Sequence, residues 1–75
     1  MTIRISKYNE VAPSEIKRIL GAGGKIIKGK YGMGAFIAEI NGINVYADDS
    51  IEINNVRLSI AKAPIEYFDR EMTIA

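Results

Sequence analysis

The 75-residue chain has no cysteine, no histidine and no tryptophan. Without cysteine there is no disulfide, no thiol nucleophile and no thiolate ligand; without histidine the usual zinc ligand and the side chain that titrates near neutral pH are missing too. The core must therefore come from apolar packing alone, and a chain this short supports one domain, residues 1–75. Long hydrophobic runs are also lacking, since no segment approaches the roughly 20 apolar residues of a membrane span. Met1 to Ser6 has neither the basic head nor the apolar stretch of a secretory leader, so a cytoplasmic protein without membrane contact is expected.

An excess of either charge is absent overall, the net value being +1, but the distribution is uneven. Residues 1–31 hold seven basic side chains against Glu10 and Glu15, a balance of +5. Residues 32–75 hold Arg57, Lys62 and Arg70 against seven acids, a balance of −4. Such asymmetry implies a basic surface for a polyanion or acidic protein, unless the two halves neutralise each other within the fold. The carboxylates and lysines do not converge in the sequence as an acid and base pair would have to. No enzyme activity, cofactor or metal site is expected, and Asp48-Asp49-Ser50 reads as a turn with solvated charge.

Thr2 to Ser6 alternates polar and apolar residues with Ile3 and Ile5 on one side, the pattern of a half-buried strand. Pro13-Ser14-Glu15 marks a helix start with Ser14 as N-cap, and Ile16, Ile19 and Leu20 form one apolar stripe that ends at Gly21. Asn41-Gly42 between Phe36-Ile37-Ala38-Glu39-Ile40 and Ile43-Asn44-Val45-Tyr46-Ala47 is a strong hairpin signal. Its two-residue turn predicts the pairs Ile40 with Ile43, Ala38 with Val45 and Phe36 with Ala47, leaving Ile37 and Tyr46 as an apolar pair on the opposite face. A second hairpin about Asn54-Asn55 groups Ile51, Ile53, Val56 and Leu58 inward and sets Glu52 opposite Arg57. Ala63-Pro64 predicts a short C-terminal helix with Ile65, Phe68 and Met72 on one side. The expected fold class is α+β: an antiparallel meander of two hairpins plus an N-terminal strand, packed with one main helix and a short C-terminal helix.

Six of the seven glycines lie in residues 21–34, interrupted by Lys25-Ile26-Ile27-Lys28, which is expected to form a short second helix. Glycine lets backbone approach a ligand closely, and amides at the start of a helical turn attract phosphate. Gly24 to Tyr31 resembles a phosphate-binding P-loop in outline, but Tyr31 replaces the Ser or Thr that reaches magnesium and no strand precedes it. Gly21-Ala22-Gly23-Gly24, with Ile19-Leu20 before it, Lys25 after it and Ile27 as an anchor, resembles the KH nucleic-acid-binding module over roughly residues 15–40. Ile3 to Ser6 would be its first strand. The chain departs from that family where Gly29, Gly32 and Gly34 shorten the second helix and two hairpins follow. The resemblance implies contact with the backbone of single-stranded nucleic acid, RNA or DNA, through Gly21, Ala22, Gly23 and Gly24. Lys17, Arg18, Lys25, Lys28 and Lys30 would supply the surrounding charge.

The competing expectation is a protein-interaction module. It would be an inhibitor of phage or mobile-element type, for example anti-CRISPR-like, docking on a host nucleic-acid-handling complex, or a homodimer pairing through a strand edge. Small size, lack of catalytic groups and the acidic second half support that alternative.

Overall fold

A computed structural model describes residues 1–30 and 34–74, so Tyr31 and Gly32 of the glycine-rich stretch lie outside the described residues. The fold is α+β, and the described residues form eight strands in two sheets and one main helix. Strand β1, Thr2–Ile5, buries Ile3 and Ile5 and exposes Thr2 and Arg4, as its alternation predicts. A tight loop follows, in which Asn9 takes a left-handed φ of 58° and the Ser6 amide donates to the Glu10 carbonyl at 2.9 Å. The chain thus turns into a two-residue strand, β2, Glu10–Val11.

Helix α1 spans Pro13–Gly21 with Pro13 at its first position. Ala12, not Ser14, is the N-cap, because proline needs no N–H partner there and takes the place immediately after the cap. Ile16 and Ile19 are buried. At the other end Gly23 has a φ of 102° and donates to Leu20, while Gly24 donates to Ile19, the paired bonds of a Schellman stop.

After that stop Lys25–Ile27 is strand β3, not the second helix. The β-branched pair Ile26-Ile27 suits a strand, and β3 takes its hydrogen bonds from β6, Ser50–Ile53, with Lys25 opposite Glu52 and Ile26 opposite Ile51. Hairpin β4–β5, Phe36–Ile40 and Ile43–Tyr46, turns on Asn41 and Gly42, both at positive φ. Ile40 pairs with Ile43 and Ala38 with Val45 as expected, but a bulge brings Phe36 opposite Tyr46 instead of Ala47. The extra residue, Ile37, packs half-buried against the core, so the expected Ile37 and Tyr46 pair does not form.

The second hairpin, β6 with β7, Val56–Ile60, has the expected register about Asn54 and Asn55, including Glu52 opposite Arg57. Val56 is exposed at its tip, and Ile51, Ile53 and Leu58 are buried. The two hairpins do not form one meander. β4–β5 is a separate two-stranded sheet, while the larger sheet runs β3-β6-β7-β2-β1-β8. Pro64 starts only a single 3-10 turn, Ile65–Tyr67, and the chain then returns as strand β8, Arg70–Thr73. The expected C-terminal helix is replaced because β1 offers a free edge: Ile3 pairs with Met72 and Arg4 with Glu71. Among the described residues no helix is long and apolar enough to cross a membrane.

Gly24 and Gly21 test how much of the glycine-rich loop is structural. A Cβ at Gly24 would lie 2.5 Å from Ile19 Cγ2 and 2.8 Å from the Ile19 carbonyl, whereas a Cβ at Gly21 meets nothing within 4 Å. Gly24→Ala is expected to destabilise the domain by about 2 kcal/mol, the range for overpacking a tight site. Gly21→Ala is expected to stabilise it by roughly 0.5–1 kcal/mol through helix propensity. Urea unfolding monitored by circular dichroism measures both, and opposite signs are the expected result.

Candidate binding surfaces

The glycine-rich loop sits at the C-terminal end of α1, the electronegative end of the helix dipole. Ala22, Gly23 and Gly24 donate their amides to the carbonyls of Arg18, Ile19 and Leu20 at 2.8 to 3.2 Å. Those amides point into the helix and are not offered to a phosphate. Gly23 answers to its left-handed φ and Gly24 to close packing, which accounts for both without a ligand.

The cationic residues expected around that loop are spread over α1, β3 and the segment after β3. Lys17 is exposed on α1. Arg18 pairs with Glu15 at 3.2 Å and donates to the Thr2 carbonyl at 3.0 Å. Lys25 lies 3.6 Å from Glu52, and Lys28 is 2.6 Å from Asp49. Lys30 is exposed. Two of these ion pairs join a lysine of the basic half to an acid of the acidic half, so the charge asymmetry is partly cancelled by the fold.

Asp49 is not the solvated turn residue expected from its position; it is 2% exposed. Its Oδ2 accepts from Lys28 Nζ at 2.6 Å and from the Tyr46 amide at 2.8 Å, and its Oδ1 accepts from the Gly29 amide at 2.7 Å. Lys28 Nζ also donates to the Asn44 carbonyl at 2.7 Å and lies 5.3 Å from the centre of the Tyr46 ring. Gly29 is required here, because a Cβ would collide with the carboxylate and the carbonyl of Asp48. Burial alone would raise the Asp49 pKa, but the Lys28 ammonium and the Gly29 and Tyr46 amides outweigh it and hold the carboxyl below its usual value. One carboxylate therefore clips the end of β3 to the turn between β5 and β6. No local pattern in the sequence marks it, since its partners lie up to 21 residues away.

Two aromatic surfaces emerge that spacing along the chain did not bring together. On the first, Phe36 is 51% exposed and meets Tyr46 edge-on at 5.7 Å. On the second, Tyr8 lies 6.2 Å from Tyr67, which meets Phe68 edge-on at 5.3 Å. Tyr8 is 61% exposed and Ile65, in the 3-10 turn beside Tyr67, is 65% exposed. A polar chain holds this second surface in place. The Tyr67 hydroxyl donates to Glu10 at 2.7 Å, the same carboxylate oxygen accepts from Ser6 Oγ at 3.1 Å, and Ser6 Oγ accepts from the amides of Tyr8 and Glu10. The bond to Glu10 raises the pKa of the Tyr67 hydroxyl. Lys7 Nζ stands 5.2 Å from the Tyr8 ring centre.

Beside this surface a pocket of about 460 Å³ opens between the first turn of α1 and the chain leading into β8. Phe68, Ile65, Ala63, Ala12 and Pro13 line it with apolar atoms, and Arg4, Ser14 and Glu15 are its polar members. Among the described residues no group of three or more acidic side chains could hold a metal ion. The chain matches no family model, no curated protein and no solved structure.

The Asp49 clip generates a pH prediction. A carboxyl whose pKa is lowered by folding contributes stability above its ordinary value of 3.8 and loses it as pH falls through the lower folded value. Asp49→Asn removes that proton linkage and is expected to flatten the acid limb of a plot of stability against pH. At pH 7 the same variant is expected to lose about 2 kcal/mol, because the NH2 of Asn faces a donor where a carboxylate oxygen accepted from Gly29 or Tyr46. Thermal melts from pH 2 to 7 compare the two slopes.

Proposed function

We propose that this chain is a non-enzymatic binding module that docks on a protein partner through the face formed by Tyr8, Ile65 and Tyr67. The observation that carries this reading is that two large apolar side chains, Tyr8 and Ile65, stand more than half in water while a hydrogen-bonded network fixes the backbone and ring beside them. Rigid, exposed aromatic and aliphatic groups are what dense binding contacts are built from, since little side-chain freedom is lost when they are covered. A domain of this kind acts by occupying a surface, as an adaptor or as an inhibitor that blocks a complex. The cancellation of lysines by Asp49 and Glu52 favours this over capture of a polyanion.

A second reading rests on Phe36, Tyr46 and Lys28. An exposed aromatic with a cation beside its neighbour is a stacking platform for single-stranded nucleic acid. Lys30, two residues beyond Lys28, would add a phosphate contact. The KH-like reading of Gly21 to Lys30 belongs with this alternative.

Capture of partners from cell extract by the tagged chain, with and without nuclease, separates the two. The protein reading expects the partner to survive nuclease and to be lost with Tyr8→Ala or Ile65→Ser, each weakening binding about 30-fold without shifting the melting temperature. Loss on nuclease treatment, together with sensitivity to Phe36→Ala and Lys30→Ala, would transfer the function to the other face.

A further inference from the structure

The pocket beside the docking face has a more specific chemistry than an apolar dimple. We infer that it is a receptor for the C-terminal residue of a partner chain, an apolar side chain with a free carboxylate. The inference rests on the protein-docking reading and names what part of the partner is held.

Size comes first. About 460 Å³ lies in the lower part of the range of small-ligand sites, enough for one residue and its terminal group but not for an extended strand or helix. The lining then divides the ligand into two parts. Phe68, 2% exposed, and Ile65, 65% exposed, give an apolar floor and an apolar rim, which call for an aliphatic or aromatic side chain. Arg4 supplies the polar end.

Arg4 forms no ion pair among the described residues, although Glu15 lines the same pocket and Glu71 lies opposite it across β1 and β8. Glu15 is already engaged: its Oε2 accepts from Arg18 Nη1 at 3.2 Å and from the Arg4 amide at 3.2 Å. Arg4 is therefore the lining cation without an ion pair among the described residues, the Glu15 charge is offset by Arg18, and a guanidinium fork matches a planar carboxylate by two parallel N–H bonds. Ser14 is a further lining residue, with a hydroxyl able to donate. An apolar amine would meet Arg4 with like charge and find Glu15 already paired with Arg18. A phosphate would leave the exposed Ile65 without a partner. An apolar carboxylate satisfies both ends, and a chain terminus presents one next to a surface that also engages Tyr8 and Tyr67.

The test uses the whole isotopically labelled chain and three probes followed by NMR: acetyl-Gly-Gly-Leu with a free carboxylate, the same peptide as its C-terminal amide, and octanoate. The acid peptide is expected to move the resonances of Arg4, Ile65 and Phe68 saturably with a Kd of about 1 mM. The amide is expected to bind about tenfold more weakly, the loss of one charge-assisted pair. Arg4→Gln is expected to erase the difference between acid and amide with no change in melting temperature. Equal binding of acid and amide, or no saturable shift with the acid peptide, overturns the inference. Octanoate binding more tightly than the peptide also overturns it, assigning the pocket to free acids. If Tyr8→Ala abolishes partner capture while acid and amide bind alike, the docking face stands and the terminal-carboxylate inference alone fails. If acid selectivity holds while Tyr8→Ala and Ile65→Ser leave capture unchanged, the pocket stands and the wider docking face fails.

Discussion

The Asp49 carboxylate is the constraint around which the rest of the molecule is arranged. It is buried, charged and satisfied by three donors from two separate segments, so none of those segments can move without leaving a charge unpaired in the interior. Glycine at position 29 follows from it, because the backbone must pass against Asp48 to deliver its amide. The pairing of β3 with β6 follows as well, since Lys28 and Gly29 continue directly from β3 and Ser50 begins β6 one residue after Asp49. A small domain without disulfides has fixed a strand edge with one ionic clip.

The same clip explains the fate of the charge asymmetry. Lys25 and Lys28 stand close to acids of the other half, so these two lysines are parts of the scaffold before they are parts of any surface. The large side chains left exposed beside the pocket are Tyr8, Ile65 and Tyr67, and Arg4 within it forms no ion pair among the described residues. The proposed docking face therefore lies at the junction of β1, α1 and the 3-10 turn and not at the glycine-rich loop.

Legibility followed the range of the interaction. Helix α1 and both hairpins could be read because their determinants are adjacent residues: proline at the helix start, Asn41-Gly42, Asn54-Asn55 and the alternation around them. β3 and β8 could not, because Lys25–Ile27 and Arg70–Thr73 are strands only by virtue of distant partners in β6 and β1. Ile65, Phe68 and Met72 have helical spacing, yet Phe68 reaches the core from a turn and Met72 from a strand, a case of tertiary pairing overriding a local period. The bulge at Ile37 shifted one end of an otherwise correct register. The candidate pocket had no sequence signal at all, since Arg4, Ser14 and Phe68 share no motif.

The union of β1 with β8 has a kinetic meaning. The amino group of Met1 donates to the carbonyl of Ile74, 73 positions away, at 2.9 Å, and the Ile74 amide returns a bond to Met1 at 2.7 Å. The hairpins can form from their own turns, whereas this seam must close almost the whole chain before its hydrogen bonds repay the loss of freedom. The proposed docking face and its pocket draw on both sides of that seam, Tyr8 and Arg4 from one and Ile65 to Phe68 from the other. On the proposed reading, binding competence depends on closing this non-local seam, and a chain with only its hairpins formed would present no assembled face to a partner.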